Sequence, residues 1–520
     1  MSELLARSLL AGVGLNHGID NPKLIETHIS WLILVGDVAY KLKKNVSLGF
    51  LDFSTLERRK HFCEEEVRIN RRTAPDIYLD VLPISGSEAA PRVGDDSKPF
   101  EYLVRMKRFS EASILENLSN EGELEAGIIS SLACDIAAFH QAVPVDKADG
   151  SRGSVKRIRE PVAENFRQIE PIAVSKEEQK MLRKLGEWVA FSEQSLAETF
   201  RKRHADGFVR ECHGDMHLAN LFYHDGHCIP FDGIEFDPDL RWIDTASDLA
   251  FTVMDLDTHK KHDLSQQLLN EYLEHTGDYG LLSVLPYYLV YRAMVRAKVT
   301  GIRSAQDMNQ SNKQRRQRDD YLSMAIQYTR AKPVCLILMS GFSGSGKTTV
   351  AKQLSVETSA ICIRSDVERK RLFGLASLAS SRDMGLDIYT EEANQNTVQR
   401  LIELTSMIFD AGCGVVVDAT LITAGARRAF ESLAMSRNIP WCLVHCEASP
   451  ETIRTRLELR DQDASEAGYV QYQAQQALFE EFDVEEQASL VRVDTESTSW
   501  VESCKSEVSQ FFAKNSTMVP

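Results

Sequence analysis

The chain has 520 residues, 43% hydrophobic and 26% charged, with a net charge of −16. That length exceeds what one hydrophobic core organises, so two domains or more are expected. The acid excess argues against a general nucleic-acid or membrane-surface binder. Ten cysteines occur singly, with no C-x-x-C pair and no zinc spacing, which suits a reducing compartment rather than a disulfide framework. The first twenty residues carry Glu3 early and lack a basic lead-in, so no signal peptide is expected. The longest apolar stretch, residues 281–295, is interrupted by Arg292 and is too short for a bilayer span. It predicts a buried helix, and the cytoplasm is the expected location.

Residues 29–35 are apolar and rich in β-formers, Gly36-Asp37 follows, and residues 38–43 alternate. This predicts two strands around a tight turn. Side chains alternate along a strand, so Ala39, Lys41 and Lys43 share one face. Val38-Ala39-Tyr40-Lys41 has the form V-A-x-K, in which the lysine reaches ATP phosphates and the small Ala leaves room for adenine. Lys43 is a rival on the same face. Residues 55–72 read as a helix with Glu64, Glu65 and Glu66 in a row. Three neighbours on a helix point three ways, so only one can meet the strand lysine. The apolar Val67 and Ile69 favour Glu66 or Glu65. Residues 78–84 and 102–106 read as short strands, and 86–98 as a polar surface loop. The segment 101–109 leaves the sheet, where backbone near Met106 is placed to contact adenine.

Residues 122–205 have helical periodicity, divided by a polar stretch at 145–154. Then comes His213-Gly214-Asp215-Met216-His217-Leu218-Ala219-Asn220, a short apolar run, and Phe231-Asp232-Gly233. An Asp, an Asn five positions on, and a second Asp a dozen beyond form a phosphoryl-transfer arrangement. Asp215 can accept a hydroxyl proton, and Asn220 and Asp232 can hold Mg²⁺ against ATP phosphates. Asp248 is placed to receive backbone N–H groups of the 213–220 loop, while Asp244 reads as a charge at a helix N-terminus. Lys313, Arg315, Arg316 and Arg318 could dock RNA or an acidic partner, but read first as a solvated basic helix face. Ala331-Lys332-Pro333 breaks the helix, and the domain boundary is expected there, giving domains 1–330 and 334–515.

Beyond it, residues 334–339 predict a buried parallel strand. It feeds Gly341-Phe342-Ser343-Gly344-Ser345-Gly346-Lys347-Thr348, which is G-x-x-x-x-G-K-T, the P-loop. Backbone N–H groups of Ser343 to Thr349 curl round a phosphate, Lys347 adds a point charge, and Thr348 can ligate Mg²⁺. Strands at 360–363, 414–417 and 441–445 alternate with helices, implying a parallel sheet with its site at the strands' C-terminal ends. Asp366 and Asp418 sit at two such ends. Asp366 is placed to meet an acceptor hydroxyl as a base, and Asp418 to support Mg²⁺ or its water. Arg454, Arg456 and Arg460 lie in a helix after the third strand, with Arg456 and Arg460 on one face. They could close on ATP and neutralise transition-state charge. The tail after Val493 reads as polar, ending in an amphipathic helix near 501–512.

These motifs carry two resemblances. Residues 25–300, most specifically 213–237, resemble the aminoglycoside phosphotransferase/choline kinase family. That implies a protein-kinase-like two-lobed fold, with Asp215 as catalytic base, Asn220 and Asp232 as Mg²⁺ ligands and Lys41 on the phosphates. No match to the acceptor-binding tail of the antibiotic-modifying members is present. Residues 334–490 resemble P-loop small-molecule kinases such as gluconate kinase, chloramphenicol phosphotransferase and zeta-toxin-like kinases. The whole chain is similar to bacterial proteins that fuse two such domains. The expected architecture is an α+β kinase-like domain followed by an α/β P-loop domain. The expected function is bifunctional Mg²⁺/ATP-dependent phosphotransfer to small hydroxylated acceptors. The alternative is an ATP-sensing protein in which one domain binds without transferring. Neither a membrane nor a nucleic acid is an expected partner.

Overall fold

The computed structural model describes residues 3–15, 22–48, 51–147, 152–172, 175–306, 311–381, 383–459 and 464–516. The chain forms two compact units. One comprises residues 1–261 and 287–327, the other residues 262–286 and 328–520.

The first unit begins with an antiparallel sheet of six strands, β1 (Lys23–Glu26), β2 (Ser30–Val35), β3 (Val38–Lys43), β4 (Tyr78–Ser87), β5 (Ala90–Val93) and β6 (Glu101–Lys107), in the order β1-β2-β3-β6-β4-β5. The period of two decides its faces. Trp31, Ile33, Val35, Tyr40 and Leu42 pack with Leu5 and Leu9 of the helix Glu3–Leu10. Leu34, Ala39, Val104 and Met106 pack on the other side with Cys63 and Val67 of helix α1 (Leu56–Asn70). Thr55 caps α1 by accepting from the Arg58 N–H. A helical half follows, containing α2 (Thr245–Thr258), in which every residue from Thr245 to Leu256 is buried. This is a kinase-like two-lobed arrangement.

The second unit contains α3 (His262–Thr276), then β7 (Leu336–Ser340), α4 (Lys347–Thr358), β8 (Ile361–Arg364), α5 (Ser365–Leu372), β9 (Val415–Asp418), β10 (Trp441–Glu447), α6 (Pro450–Glu458), α7 (Tyr469–Leu478) and β11 (Leu490–Asp494). The five strands are parallel, ordered β8-β9-β7-β10-β11. Their residues are almost wholly buried, as continuous apolar runs in a two-sided sheet must be. The strand feeding the P-loop is central.

Several expectations change here. A single boundary at residues 331–333 does not describe the division, because residues 262–286 belong to the P-loop unit. The reason is that polar side chains of α3 pair with the backbone of β8 and of Ala360 just before it. Residues 86–98 are not all loop: β5 pairs with β4 through a turn at Glu88-Ala89, and Gly86, whose φ is +92°, pairs with Pro91. Strand β11, just before the polar tail, was not among the expected elements; its Val491 and Val493 point inward. The basic cluster is not one solvated face. Arg315 and Arg316 are exposed, but Arg318 is buried, paired with Glu178 and donating to the Ile172 carbonyl; the Lys313 side chain lies outside the described residues. Among the described residues no helix is long and apolar enough to cross a membrane.

Candidate active sites

In the first unit, strand β3 aims Lys41 and Lys43 at α1, and one carboxylate receives both. Glu66 Oε1 lies 2.8 Å from Lys41 and Oε2 2.6 Å from Lys43. Glu65 instead pairs with Arg68 and Arg241. The two lysines then diverge. Lys41 also meets Asp232, while Lys43 meets Glu235 and is only 1% exposed. Burial opposes charge on Glu66, yet Lys41 and Lys43 hold its carboxyl down at about 2. Burial likewise opposes charge on Lys41, and Asp232 and Glu66 outweigh it. Of the rival lysines, Lys41 is therefore the one beside the Asp232 loop.

The loop from His213 to Asn220 has little regular structure of its own, so its shape comes from partners. Asp248 accepts the His213 and Gly214 N–H groups, each at 2.9 Å. Thr252 Oγ1 donates to the Met216 carbonyl at 2.6 Å, and Asp255 accepts the Leu218 N–H at 2.9 Å. These three residues are spaced i, i+4, i+7 on α2, so a single helix face holds four anchor points, at His213, Gly214, Met216 and Leu218. Arg292 adds a bond from its guanidinium to the Gly214 carbonyl at 3.0 Å. Asp248 also meets His140 Nε2 at 3.3 Å. Burial pushes the Asp248 carboxyl up, but His140, His213 and Arg292 hold it at about 2. Asp244 plays the plainer part, capping α2 and pairing with Arg203.

Held in this way, the loop brings Asp215 and Asn220 together. Asn220 Nδ2 donates to the Asp215 carbonyl at 3.0 Å and to its carboxylate at 3.1 Å, which turns the Asn220 Oδ1 away from it. His217 Nε2 is 3.5 Å from the same carboxylate. Burial raises the Asp215 carboxyl, but His217, His213 and Arg296 overcome this and keep it below the ordinary range. His213 Nε2 hydrogen-bonds the Phe231 carbonyl at 2.9 Å, tying this loop to Asp232. Asp232 has φ +60°, a conformation that Asp tolerates better than most residues. Its N–H donates to the Tyr78 hydroxyl, and the next N–H, of Gly233, donates to Asn70.

Met106 is buried within β6, opposite Ala39, and the chain leaves the sheet only after Lys107. Phe109, just beyond, stacks on Phe222 at 4.2 Å and meets Phe231 edge-on at 5.0 Å.

In the second unit the P-loop needs its glycines. Gly341 has φ +130°, and a Cβ there would sit 2.5 Å from the Cys446 carbonyl oxygen; Gly346 has φ +90°. Lys347 donates to the Phe342 carbonyl at 2.8 Å. Thr348 Oγ1 donates to Asp418 at 2.8 Å. Burial pushes the Asp418 carboxyl up, against Arg364 and Lys347. A cavity of about 640 Å³ is lined by Gly344, Lys347, Thr348, Thr349, Asp366 and Asp418 together, and also by Arg369 and Arg456. The strand-end residues and the loop thus share one space. Arg456 donates to the Gly344 carbonyl at 3.4 Å and to Thr495 at 2.9 Å, so it lies against the loop. Helix α6 ends at Glu458, and Arg460 lies outside the described residues.

Gln475 was not foreseen from the sequence; its side chain pairs with Ser343 N–H at 2.8 Å and Oγ at 3.0 Å. Nor were Thr252, Asp255, Arg292, Asn70 and Tyr78. The spacing of Asp248, Thr252 and Asp255 was a readable signal: polar residues on one stripe of an otherwise apolar helix need buried partners.

Residues 336–482 match the family model described as an AAA domain. An uncharacterised protein of Mycobacterium tuberculosis is 27% identical over 445 residues, covering 85% of this chain and 87% of its own length. The solved choline/ethanolamine kinase family protein of Mesorhizobium loti covers 63% of this chain and 99% of its own, at 10% identity and a TM-score of 0.39. A gluconokinase of Sinorhizobium meliloti covers 35% and 94%, at 18% identity and a TM-score of 0.26. The chain is similar to choline/ethanolamine kinases in its first part and to P-loop kinases such as gluconokinase in its second.

Proposed function

We propose that each unit is a Mg²⁺/ATP-dependent phosphotransferase acting on a small hydroxylated molecule. One observation supports the reading: each unit gathers, from distant parts of its sequence, a lysine, side-chain oxygens able to hold a cation and a further carboxylate. Hard cations take oxygen ligands. The donors here fit that chemistry, as Asn220 Oδ1 and Asp232 in one unit and Thr348 and Asp418 in the other. Mg²⁺ bound there would neutralise charge on the phosphates.

The protein's own groups supply the remainder. Lys41, fixed by Glu66, is the phosphate contact in the first unit, and Met106 and Ala39 border the base. Asp215, kept ionised, accepts the acceptor's hydroxyl proton. In the second unit, backbone N–H groups of the P-loop and Lys347 hold the phosphates, Arg456 lies over the loop, and Asp366 receives the hydroxyl proton. Arg369, three residues on, faces the same cavity beside Asp366. A guanidinium there suits an acceptor that bears a carboxylate or phosphate near its hydroxyl.

The test is ATP turnover by wild type, Asp215→Ala and Lys347→Ala against a panel of hydroxylated metabolites. The reading expects some acceptors to lose turnover with one variant and others with the other. Nucleotide binding with no acceptor-dependent turnover in either unit would favour ATP sensing.

A further inference from the structure

Helix α3 belongs to the P-loop unit although it precedes β7 by about 60 residues. It lies along β8, the edge strand of the sheet, whose outer backbone groups have no strand partner among the described residues. Gln266 Nε2 donates to the Ala360 carbonyl at 2.9 Å, and Asn270 Oδ1 accepts the Cys362 N–H at 2.7 Å. Glu274 Oε1 then receives Arg364 at 2.7 Å. The spacing matches by geometry. Four residues of helix rise about 6.0 Å, and two residues of strand about 6.6 Å. A stripe at i, i+4, i+8 therefore keeps step with alternate strand residues at 360, 362 and 364. The inward-pointing Ile361 N–H pairs with Gly414, as this alternation requires.

The stripe ends at the site. Arg364 is 8% exposed and stands between two carboxylates: Glu274 at 2.7 Å and Asp418 Oδ2 at 3.6 Å. That same Asp418 oxygen accepts the Thr348 hydroxyl. A guanidinium this buried needs an anion, and Glu274 supplies the nearer one. We infer that Glu274 is a positioning residue of the P-loop site: it holds Arg364 off Asp418 and so leaves that carboxylate available to a nucleotide-bound cation. The inference rests on the P-loop cavity being a Mg²⁺/ATP site. Removing the Glu274 charge while keeping its shape drives Arg364 onto Asp418, where it competes with the cation.

The test uses the full chain carrying Lys41→Ala, so that binding reports the P-loop cavity. Calorimetry measures the affinity of a non-hydrolysable ATP analogue with Mg²⁺ and with chelator. Glu274→Gln is expected to cut the Mg²⁺-dependent gain in affinity about tenfold, with affinity in chelator unchanged. Glu274→Gln combined with Arg364→Gln is expected to restore the gain. Should Glu274→Gln not fold, Glu274→Asp, one methylene short of Arg364, is expected to show a smaller loss of the same kind. An undiminished gain, an equal loss with and without Mg²⁺, or a double variant no better than the single one overturns the inference. A Lys347→Ala chain that binds as well as its parent overturns the P-loop reading itself, and the inference with it.

Discussion

Loop 213–220 of the first unit and loop 341–348 of the second are held in shape by different balances of local and distant contacts. The first borrows its form: Asp248, Thr252, Asp255 and Arg292 reach across long sequence distances to bond its backbone. The second takes its form mainly from its own glycines, at positive φ between a buried strand and a helix, with Gln475, Arg456 and Thr495 adding bonds from afar. A borrowed shape spreads its determinants over a helix that shows no motif. A self-contained shape concentrates them in eight residues. Damage should therefore behave differently in the two loops: graded and distributed in the first, abrupt and local in the second.

The largest effects break each site at its chemistry. Asp215→Ala is expected to lower kcat for first-unit acceptors by about 10²–10⁴-fold, the range for losing a general base, with second-unit turnover intact in the same assay. Asp248→Asn sharpens the picture of the borrowed shape. The Asp248 carboxyl sits at about 2 in the fold against an ordinary 3.8. The depressed value means stability that is full above about pH 4 and lost as pH falls toward 2. Each tenfold gain in acidity on folding is worth about 1.4 kcal/mol, so the charge contributes about 2–3 kcal/mol. Denaturant melts should show the Asp248→Asn variant weaker than wild type by about that amount at neutral pH, with the gap closing between pH 4 and 2.

Gly341→Ala tests the self-contained loop. A left-handed position and a backbone oxygen 2.5 Å from the new Cβ should cost about 1–3 kcal/mol. The expected signature is loss of nucleotide binding in the second unit by calorimetry, with first-unit binding unchanged. Thr252→Val removes one buried bond to the Met216 carbonyl, worth about 1 kcal/mol. It should lower first-unit kcat modestly and leave the second unit alone. Smallest of all, Arg315→Ala with Arg316→Ala, both exposed, should shift stability by no more than about 0.5 kcal/mol. An RNA-binding titration of that pair should match wild type.

The contrast also explains what could be read in advance. The P-loop, its strand and its helix were legible because local residues dictate local backbone. The apolar strand β2 and the alternating strand β3 were legible for the same reason, as was the proximity of Lys41 to a helix glutamate. The choice of Glu66 over Glu65 needed the helix's rotation against the sheet. The membership of residues 262–286 in the second unit was not legible, because α3 reads as one more amphipathic helix in a helical run. Only its polar stripe, Gln266, Asn270 and Glu274, meeting an edge strand 94, 92 and 90 residues away, explains why it is there. Strand β11 was hidden because two inward valines give too short a pattern to mark a strand.

The central claim is two nucleotide sites, one per unit. Calorimetric stoichiometry with a non-hydrolysable ATP analogue and Mg²⁺ tests it most directly. The account predicts two analogues per wild-type chain, one for Lys41→Ala, one for Lys347→Ala, and none for the double variant. One analogue per wild-type chain, abolished by a single substitution, would contradict it.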